Sequence, residues 1–254
     1  MTEVVALPAF EDNYIWILRR GEYAAAVDPG DASPVLEFLR REGLRLVAIL
    51  ATHHHGDHVG GNEDLLRGHP VPVYGPRDAR IPSVDHPLAD GARLTLPVLG
   101  LELQVLEVPG HTRSHIAYWG AGALFCGDTL FGCGCGRLFE GTPAQMHGSL
   151  LRLASLPPST RVHCAHEYTL ANIRFALTVD PDNAALRARE AATRKLRAAG
   201  QPTVPSTIGE ELATNPFLRC NDRAVIAAAQ RHAGRSLGDE ISVFASLREW
   251  KNGF

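Results

Sequence analysis

Short, largely apolar runs recur through the first two-thirds of the chain and predict buried β-strands. Leu44–Ala51 is almost continuously apolar and partly β-branched, which is typical of a strand covered on both faces. Leu101–Val108 alternates between apolar and polar residues, which is typical of a strand with one solvated face. Further short candidates are Ala24–Val27, Ala123–Cys126 and Arg161–Ala165. The pattern therefore predicts a sheet-rich first part.

Helix signals are occasional in this part and dominate after it. Ser33 as N-cap, with proline at the first helical position, predicts an early helix. The T-x-x-Q sequence from Thr142 has the form of a capping box and predicts a helix to about residue 155. Asp182–Ala199 and Asp222–Ala233 are rich in good helix formers, and each is followed by glycine. The C-terminal part is therefore predicted to be α-helical.

The change of pattern near residue 170 predicts two domains, residues 1–170 and 171–254. A chain of 254 residues with 45% hydrophobic content can bury a substantial core. The net charge of −3 gives no electrostatic basis for binding nucleic acid or an acidic membrane, and no apolar run approaches the roughly 18 to 20 residues that span a bilayer. Five cysteines, an odd number, argue against a disulfide framework. We expect a cytoplasmic monomer.

The segment Thr52–His58 contains four histidines and an aspartate directly after a predicted strand. Such clustering is difficult to explain without metal, because each buried imidazole needs partners for its ring nitrogens. In an extended chain His53 and His55 point to the same side, so that both can bind one ion. Gly56 can turn the chain, which directs Asp57 and His58 toward a second ion. The cluster predicts a binuclear site.

Two ligands for each ion are too few for a catalytic zinc site, which commonly has three protein ligands and water. Further candidates follow other predicted strands: His111 in P-G-H-T, Asp128 in G-D-T and His166 in H-E-Y. Loops at strand ends are where a layered α/β scaffold places such residues. The predicted metal ligands are therefore His53, His55 and His111 on one ion, Asp57, His58 and His166 on the other, and Asp128 bridging both.

These motifs together resemble the metallo-β-lactamase superfamily and, within it, the glyoxalase II or hydroxyacylglutathione hydrolase family. T-H-H-H-x-D-H is common to the whole superfamily. Finer likeness lies in Phe131–Arg137, in His166–Thr169, in Asn215–Arg219 and in Leu7–Tyr14, so that the resemblance covers almost the full chain. It implies an α/β fold, an αββα sandwich followed by a small helical domain.

The resemblance also implies the chemistry. A hydroxide bridging two divalent ions would hydrolyse the thioester S-D-lactoylglutathione, or a related 2-hydroxyacyl glutathione, to glutathione and D-lactate, the second step of methylglyoxal detoxification. Asp57 and Asp128 would act with this hydroxide as the catalytic residues. The ligand set accepts zinc, iron and manganese alike, and zinc is the metal that we expect.

Glutathione carries two carboxylates, so its site should present cations and hydrogen-bond donors. The family motifs place Arg137 and Tyr168 at this site, and the R-x-x-K pair of Arg248 and Lys251 would bind the glycine carboxylate from one helix face. The chain departs from the family at Phe139, where many relatives have tyrosine.

Other functions share the first motif. A lactone or β-lactam hydrolase of this superfamily would keep every metal ligand but would not need the glutathione contacts. A persulfide dioxygenase uses a single iron and would not be expected to keep the complete second ligand set. A non-catalytic binding module would usually have lost ligands. The complete motif set favours the glutathione thioester hydrolase.

Overall fold

The computed structural model describes residues 2–254, whose strands form two six-stranded sheets and a small hairpin. The first sheet has the order β1-β2-β3-β4-β5-β6, antiparallel from β1 to β3 and parallel from β3 to β6. Its strands are β1 (Glu3–Ala9), β2 (Asn13–Arg20), β3 (Tyr23–Val27), β4 (Arg45–Leu50), β5 (Val73–Pro76) and β6 (His86–Leu88). Helices α1 (Ala32–Glu42), α2 (Gly56–Val59) and α3 (Asn62–Gly68) lie between these strands in sequence.

The parallel pairing of β3 with β4 brings two polar loops to one edge of the first sheet. Val27 pairs with Leu50 at the carboxyl ends of the two strands, and the amide of Asp28 donates to the carbonyl of Leu50 at 2.9 Å. Both strands are buried at their ends, as their apolar sequences predict. The residue after β3 therefore lies beside the histidine-rich segment after β4.

Helix α1 covers this sheet, but its cap differs from the sequence prediction. The expected N-cap was Ser33, whereas the helix begins at Ala32 and the carboxylate of Asp31 accepts from the amide of Ser33 at 2.8 Å. A carboxylate two residues earlier competes successfully because it also carries charge at the positive end of the helix. Val35 and Phe38 pack into the core on the sheet side.

The second sheet contains two antiparallel runs. One runs through β7 (Arg93–Leu96), β8 (Leu101–Glu107), β9 (Ile116–Gly120) and β10 (Ala123–Gly127) in that order. The other pairs β13 (Arg161–Cys164) with β14 (Ser206–Thr207). The hairpin consists of β11 (Leu130–Phe131) and β12 (Gly134–Cys135). As predicted, β8 alternates between buried and exposed residues over most of its length.

Three helices of the later chain begin within two residues of the predicted positions. The helices of this part are α4 (Pro143–Ala154), α5 (Thr169–Val179), α6 (Ala184–Ala198), α7 (Ile208–Thr214), α8 (Arg223–Ala233) and α9 (Glu240–Asn252). The capping box between Thr142 and Gln145 is formed in both directions. Gly234 ends α8 in the left-handed conformation with φ 65°, which glycine adopts without steric cost.

By residue contacts the chain divides into two compact units. The first comprises Met1–Glu107 and Ser114–Gly127, and the second comprises Val108–Arg113 and Asp128–Phe254. Within residues 2–254, every helix is too short or too polar to cross a bilayer.

Candidate metal centre

His53 and His55 follow β4 and direct ring nitrogens toward one point. His53 is fully buried, and its Nε2 lies 3.0 Å from Nδ1 of His55. The other ring nitrogen of His53, Nδ1, lies 3.0 Å from the hydroxyl oxygen of Thr52. With Nδ1 occupied by this hydroxyl, Nε2 is the nitrogen that can donate a lone pair to metal.

Asp57 and His58 lie in the short helix α2, which Gly56 begins. The carboxylate of Asp57 lies 3.5 Å from Nε2 of His58 and accepts a hydrogen bond from Nδ2 of Asn13 at 3.0 Å. Because His58 is fully buried and Asn13 is 7% exposed, both side chains are fixed by their surroundings. The pair thus offers a carboxylate oxygen and an imidazole nitrogen at one place.

Asp28 is a functional candidate that the sequence reasoning missed. Its buried carboxylate accepts from the amide and the hydroxyl of Thr52, both at 2.7 Å, and lies 3.0 Å from Nδ1 of His58. It directly follows the apolar run of β3 and has φ 52°, an uncommon conformation for a residue other than glycine. The signal was available: Asp28 follows a predicted strand, as each predicted ligand does.

His111, Asp128 and His166 form a second arrangement around one carboxylate. Nε2 of His111 lies 3.3 Å from Oδ2 of Asp128, and Nε2 of His166 lies 3.4 Å from Oδ1. Nδ1 of His111 donates to the carbonyl oxygen of Arg137 at 2.8 Å, which leaves Nε2 as its metal-binding nitrogen. One carboxylate oxygen faces each histidine, the arrangement that a bridging ligand requires.

Potential ligand atoms converge in two groups. The members of each group lie within 4.8 Å of one another: His53, His55, His111 and Asp128 in one, and Asp57, His58 and His166 in the other. Imidazole nitrogens and carboxylate oxygens of this kind form sites for zinc, iron and manganese. The donor chemistry therefore fits two divalent ions.

Two nearby histidines are not members of either group. His115 is fully buried, stacks on the ring of His53 at a centroid distance of 4.5 Å, and has Nδ1 3.1 Å from the carbonyl oxygen of Ile116. The ring of His54 meets that of His55 edge-on at a centroid distance of 4.8 Å, and its Nδ1 lies 3.7 Å from the carboxylate of Asp78. Hydrogen bonds from Arg80 and Ser114 hold the pKa of Asp78 well below its usual range, so that this carboxylate is charged.

A cleft of about 670 Å³ has both His111 and Asp128 in its wall. Cationic side chains line another part of it: Arg137, Arg174, Arg248 and Lys251. Thus the predicted substrate contacts Arg137, Arg248 and Lys251 lie in one cleft with two predicted metal ligands. Arg174 was not singled out from the sequence.

The R-x-x-K pair on α9 is held from behind by backbone carbonyls. Arg248 is only 5% exposed, and its Nη1 donates to the carbonyl oxygen of Cys135 at 2.9 Å. Nζ of Lys251 lies 3.5 Å from the carbonyl oxygen of Ala171. Burial, together with the charges of Arg248 and Arg137, lowers the pKa of Lys251 to about 8. A bound carboxylate would relieve this repulsion.

Aromatic rings line the cleft near the predicted ligands. Tyr168 stacks on His166 with a centroid distance of 4.7 Å and an interplanar angle of 5°. Phe139 is 63% exposed and meets the ring of His111 edge-on at 5.2 Å. In the wall of the cleft, both rings therefore border predicted metal donors.

The β11–β12 hairpin, which forms one wall of the cleft, is held by buried polar side chains. The carboxylate of Glu211 accepts from the amide of Cys133 at 2.9 Å and from Arg189 at 2.6 Å. Asn215 donates to the carbonyl oxygen of Gly134 at 2.9 Å. The hairpin turns at Cys133, which has φ 54° and lies fully buried. Cys133 thus shapes a tight loop between the two strands of the hairpin.

Both parts of the chain match known protein families. Residues 9–166 match the family described as Metallo-beta-lactamase superfamily, and residues 167–254 match the family described as Hydroxyacylglutathione hydrolase C-terminus. A relative from Alkalilimnicola ehrlichii, named hydroxyacylglutathione hydrolase, is 58% identical and aligns over 99% of each chain. One of the same name from Nitrosomonas europaea is 54% identical over 100% of this chain and 97% of its own.

Solved structures give the same fold. The crystal structure of TTHA1623 in a di-iron-bound form is 32% identical to this chain, with a TM-score of 0.60 over 85% of this chain and 100% of that one. The two family matches together span residues 9–254, and the relatives align over nearly the whole chain. The solved structure shares the fold over 85% of this chain.

Proposed function

The chain belongs to the hydroxyacylglutathione hydrolases of the metallo-β-lactamase superfamily, and on this basis we propose that its substrate is the thioester S-D-lactoylglutathione. It is a hydrolase with the metallo-β-lactamase fold and a helical region after that fold. The family, the fold class and the activity that the motifs implied are thereby confirmed.

The cleft is the observation that supports this substrate most strongly. Its wall contains His111 and Asp128 together with Arg248 and Lys251, so that metal donors and carboxylate-binding cations lie in one cavity. A simple lactone carries no carboxylate and would leave these buried and half-buried cations without an anionic partner, which is costly. A glutathione thioester satisfies both ends of the cleft.

The chain has a His and Asp cluster that binds divalent metal, and we propose zinc in both positions. His53, His55 and His111 would hold one ion, Asp57, His58 and His166 the other, and Asp128 would contact both. When bound, two such ions supply a nucleophilic oxygen at neutral pH and electrostatic stabilisation of a developing oxyanion.

The side chains of the protein would orient the reacting groups. Asp57, held by Asn13, would accept a hydrogen bond from the attacking water and orient it toward the thioester carbon. Collapse of the tetrahedral adduct breaks the C–S bond and releases glutathione as a thiolate. A thiol of pKa about 8.5 is a good leaving group, so that no general acid is required.

Substrate binding is assigned to the cations and to one aromatic ring. Arg248 and Lys251 would bind the glycine carboxylate, Arg137 would add positive charge, and Tyr168 would hydrogen-bond the peptide. We also propose that residues 1–170 form the catalytic domain, that residues 171–254 form the substrate-binding domain, and that the enzyme is a cytoplasmic monomer.

The test is a thiol-release assay on metal-replete protein, with metal content measured on the same sample. S-D-lactoylglutathione should be hydrolysed far faster than a lactone or a β-lactam, and glutathione persulfide should consume no oxygen. Prior chelation should abolish thiol release and zinc should restore it. Metal-replete protein that releases no thiol from S-D-lactoylglutathione would refute the proposed function.

A further inference from the structure

Arg174 lines the cleft but has no role among the contacts described above. It lies in α5 with its side chain exposed. Within residues 2–254 its guanidinium makes no hydrogen bond or ion pair, whereas Arg248 is anchored to a backbone carbonyl. An unpaired guanidinium in a substrate cleft is available for an anionic ligand group.

Helix α5 sets the distance between Arg174 and the metal donors. Tyr168, Ala171 and Arg174 are spaced three residues apart and share one face of the helix, and all three line the cleft. Tyr168 stacks on His166 at the start of the helix. With about 1.5 Å of rise per residue, Arg174 lies roughly 9 Å farther along the helix axis.

The other three cations of the cleft, Arg137, Arg248 and Lys251, influence one another's charge and form one group. Lys251 contacts the carbonyl of Ala171, one turn before Arg174, and its neighbours in charge are Arg248 and Arg137. The backbone carbonyl of Arg137 accepts from Nδ1 of His111. The cleft therefore presents a cluster of three cations and, on α5, a fourth cation that makes no ion pair with any residue that the structure describes.

Positive charge at two places in the cleft suits the two carboxylates of glutathione. The glycine carboxylate is on the shorter arm from the cysteinyl sulfur, whereas the γ-glutamyl carboxylate is separated from its amide by a flexible chain of methylene groups. We propose that Arg174 binds the γ-glutamyl carboxylate while Arg248 and Lys251 bind the glycine carboxylate. The assignment rests on the proposed glutathione thioester function and makes Arg174 a determinant of specificity for the longer arm.

The test pairs protein variants with substrates that lack one carboxylate. The probes are the D-lactoyl thioesters of glutathione, of N-acetylcysteinylglycine, which lacks the γ-glutamyl group, and of γ-glutamylcysteinylglycinamide, which lacks the glycine carboxylate. Arg174→Gln should raise KM for the glutathione thioester about three- to tenfold with kcat nearly unchanged, because one net hydrogen bond to bound substrate is lost.

The KM values across the three substrates distinguish the loss of one carboxylate contact from a general disturbance of the cleft. The effect of Arg174→Gln should persist with the glycinamide and fall below about twofold with the N-acetyl compound, while Lys251→Gln should show the reverse. Arg174→Lys should recover part of the loss, and Arg231→Gln, an exposed helical arginine outside the cleft, should leave KM unchanged.

Equal KM effects of Arg174→Gln on all three substrates, or no effect, would overturn the assignment. The assignment would also be overturned if Arg137→Gln, and not Arg174→Gln, raised KM only for substrates that carry the γ-glutamyl group. Wild-type protein active on the glutathione thioester, with such an outcome, would refute this assignment alone. Wild-type protein that releases no thiol would refute the proposed function together with it.

Discussion

Replacing Asp28 by asparagine should weaken metal binding at both positions, because this carboxylate sets the tautomer of one histidine in each ligand group. It lies 3.0 Å from Nδ1 of His58 directly. It reaches His53 through Thr52, whose hydroxyl donates to Asp28 at 2.7 Å and lies 3.0 Å from Nδ1 of His53. Both rings thereby keep the proton on Nδ1 and present Nε2 to metal.

The expected magnitude follows from these contacts. Asparagine can still accept from the amide of Thr52, but its NH₂ group would face the hydroxyl of Thr52 and Nδ1 of His58, which are donors toward Asp28. A lost hydrogen bond to a charged group costs about 1.5–3 kcal/mol. Loss of a carboxylate that orients a metal-binding histidine commonly lowers affinity by about 10- to 100-fold. We expect a loss of affinity within that range.

The assay is zinc competition against a chromophoric chelator, with the fold of the metal-free protein checked by circular dichroism. Asp31→Asn is the matched control, since it replaces the same residue type three positions away at the cap of α1 and leaves the ligand network intact. Unchanged zinc affinity in folded Asp28→Asn protein, or an equal loss in the control, would refute the reasoning.

Three further outcomes test the cleft and its support. Because lysine is charged below its pKa, and that of Lys251 is lowered to about 8, KM should rise as the pH passes above this value, and Lys251→Arg should remove the rise; a flat KM profile in the wild type would contradict this. Arg189→Met should lower the free energy of unfolding in urea by about 3–5 kcal/mol, because it leaves the carboxylate of the fully buried Glu211 without a cationic partner. A cost below about 1 kcal/mol, as for an exposed ion pair, would argue against this. Gly136→Ala should reduce zinc retention after dialysis, because its Cβ would lie 2.0 Å from the backbone carbonyl oxygen of Asp128, a proposed metal ligand. Gly148→Ala, with open space around it, should retain zinc fully.

The metal donors were predictable because each follows a strand whose apolar sequence identifies it. The parallel neighbours β3 and β4 end at the same edge of the sheet, which brings the loop after β3 beside the histidine-rich segment. The same rule would have identified Asp28, but a lone aspartate before proline and glycine is also typical of a turn. Its role becomes visible only when Thr52 and His58 are seen around its carboxylate.

The cleft was less predictable, since its walls come from segments distant in sequence. Arg248 and Cys135 are in contact although 113 residues separate them, and no periodicity in either segment encodes that contact. The motif likeness supplied Arg248, but Arg174 belongs to no motif and looks like any exposed helical arginine. Such a residue acquires meaning only from the cavity that tertiary packing forms around it.

One short segment, residues 128–137, contributes both to the proposed metal site and to the proposed substrate site. Asp128 begins it, the amide of Gly136 donates to the carbonyl of Thr129 at 3.2 Å, and the carbonyl of Arg137 accepts from His111. The carbonyl of Cys135, between them, holds Arg248 at 2.9 Å. A shift of this segment would therefore move a proposed metal ligand and a proposed substrate-binding cation together. Because neither can be repositioned alone, changes in glutathione recognition should arise more readily at Arg174, which lies outside the segment.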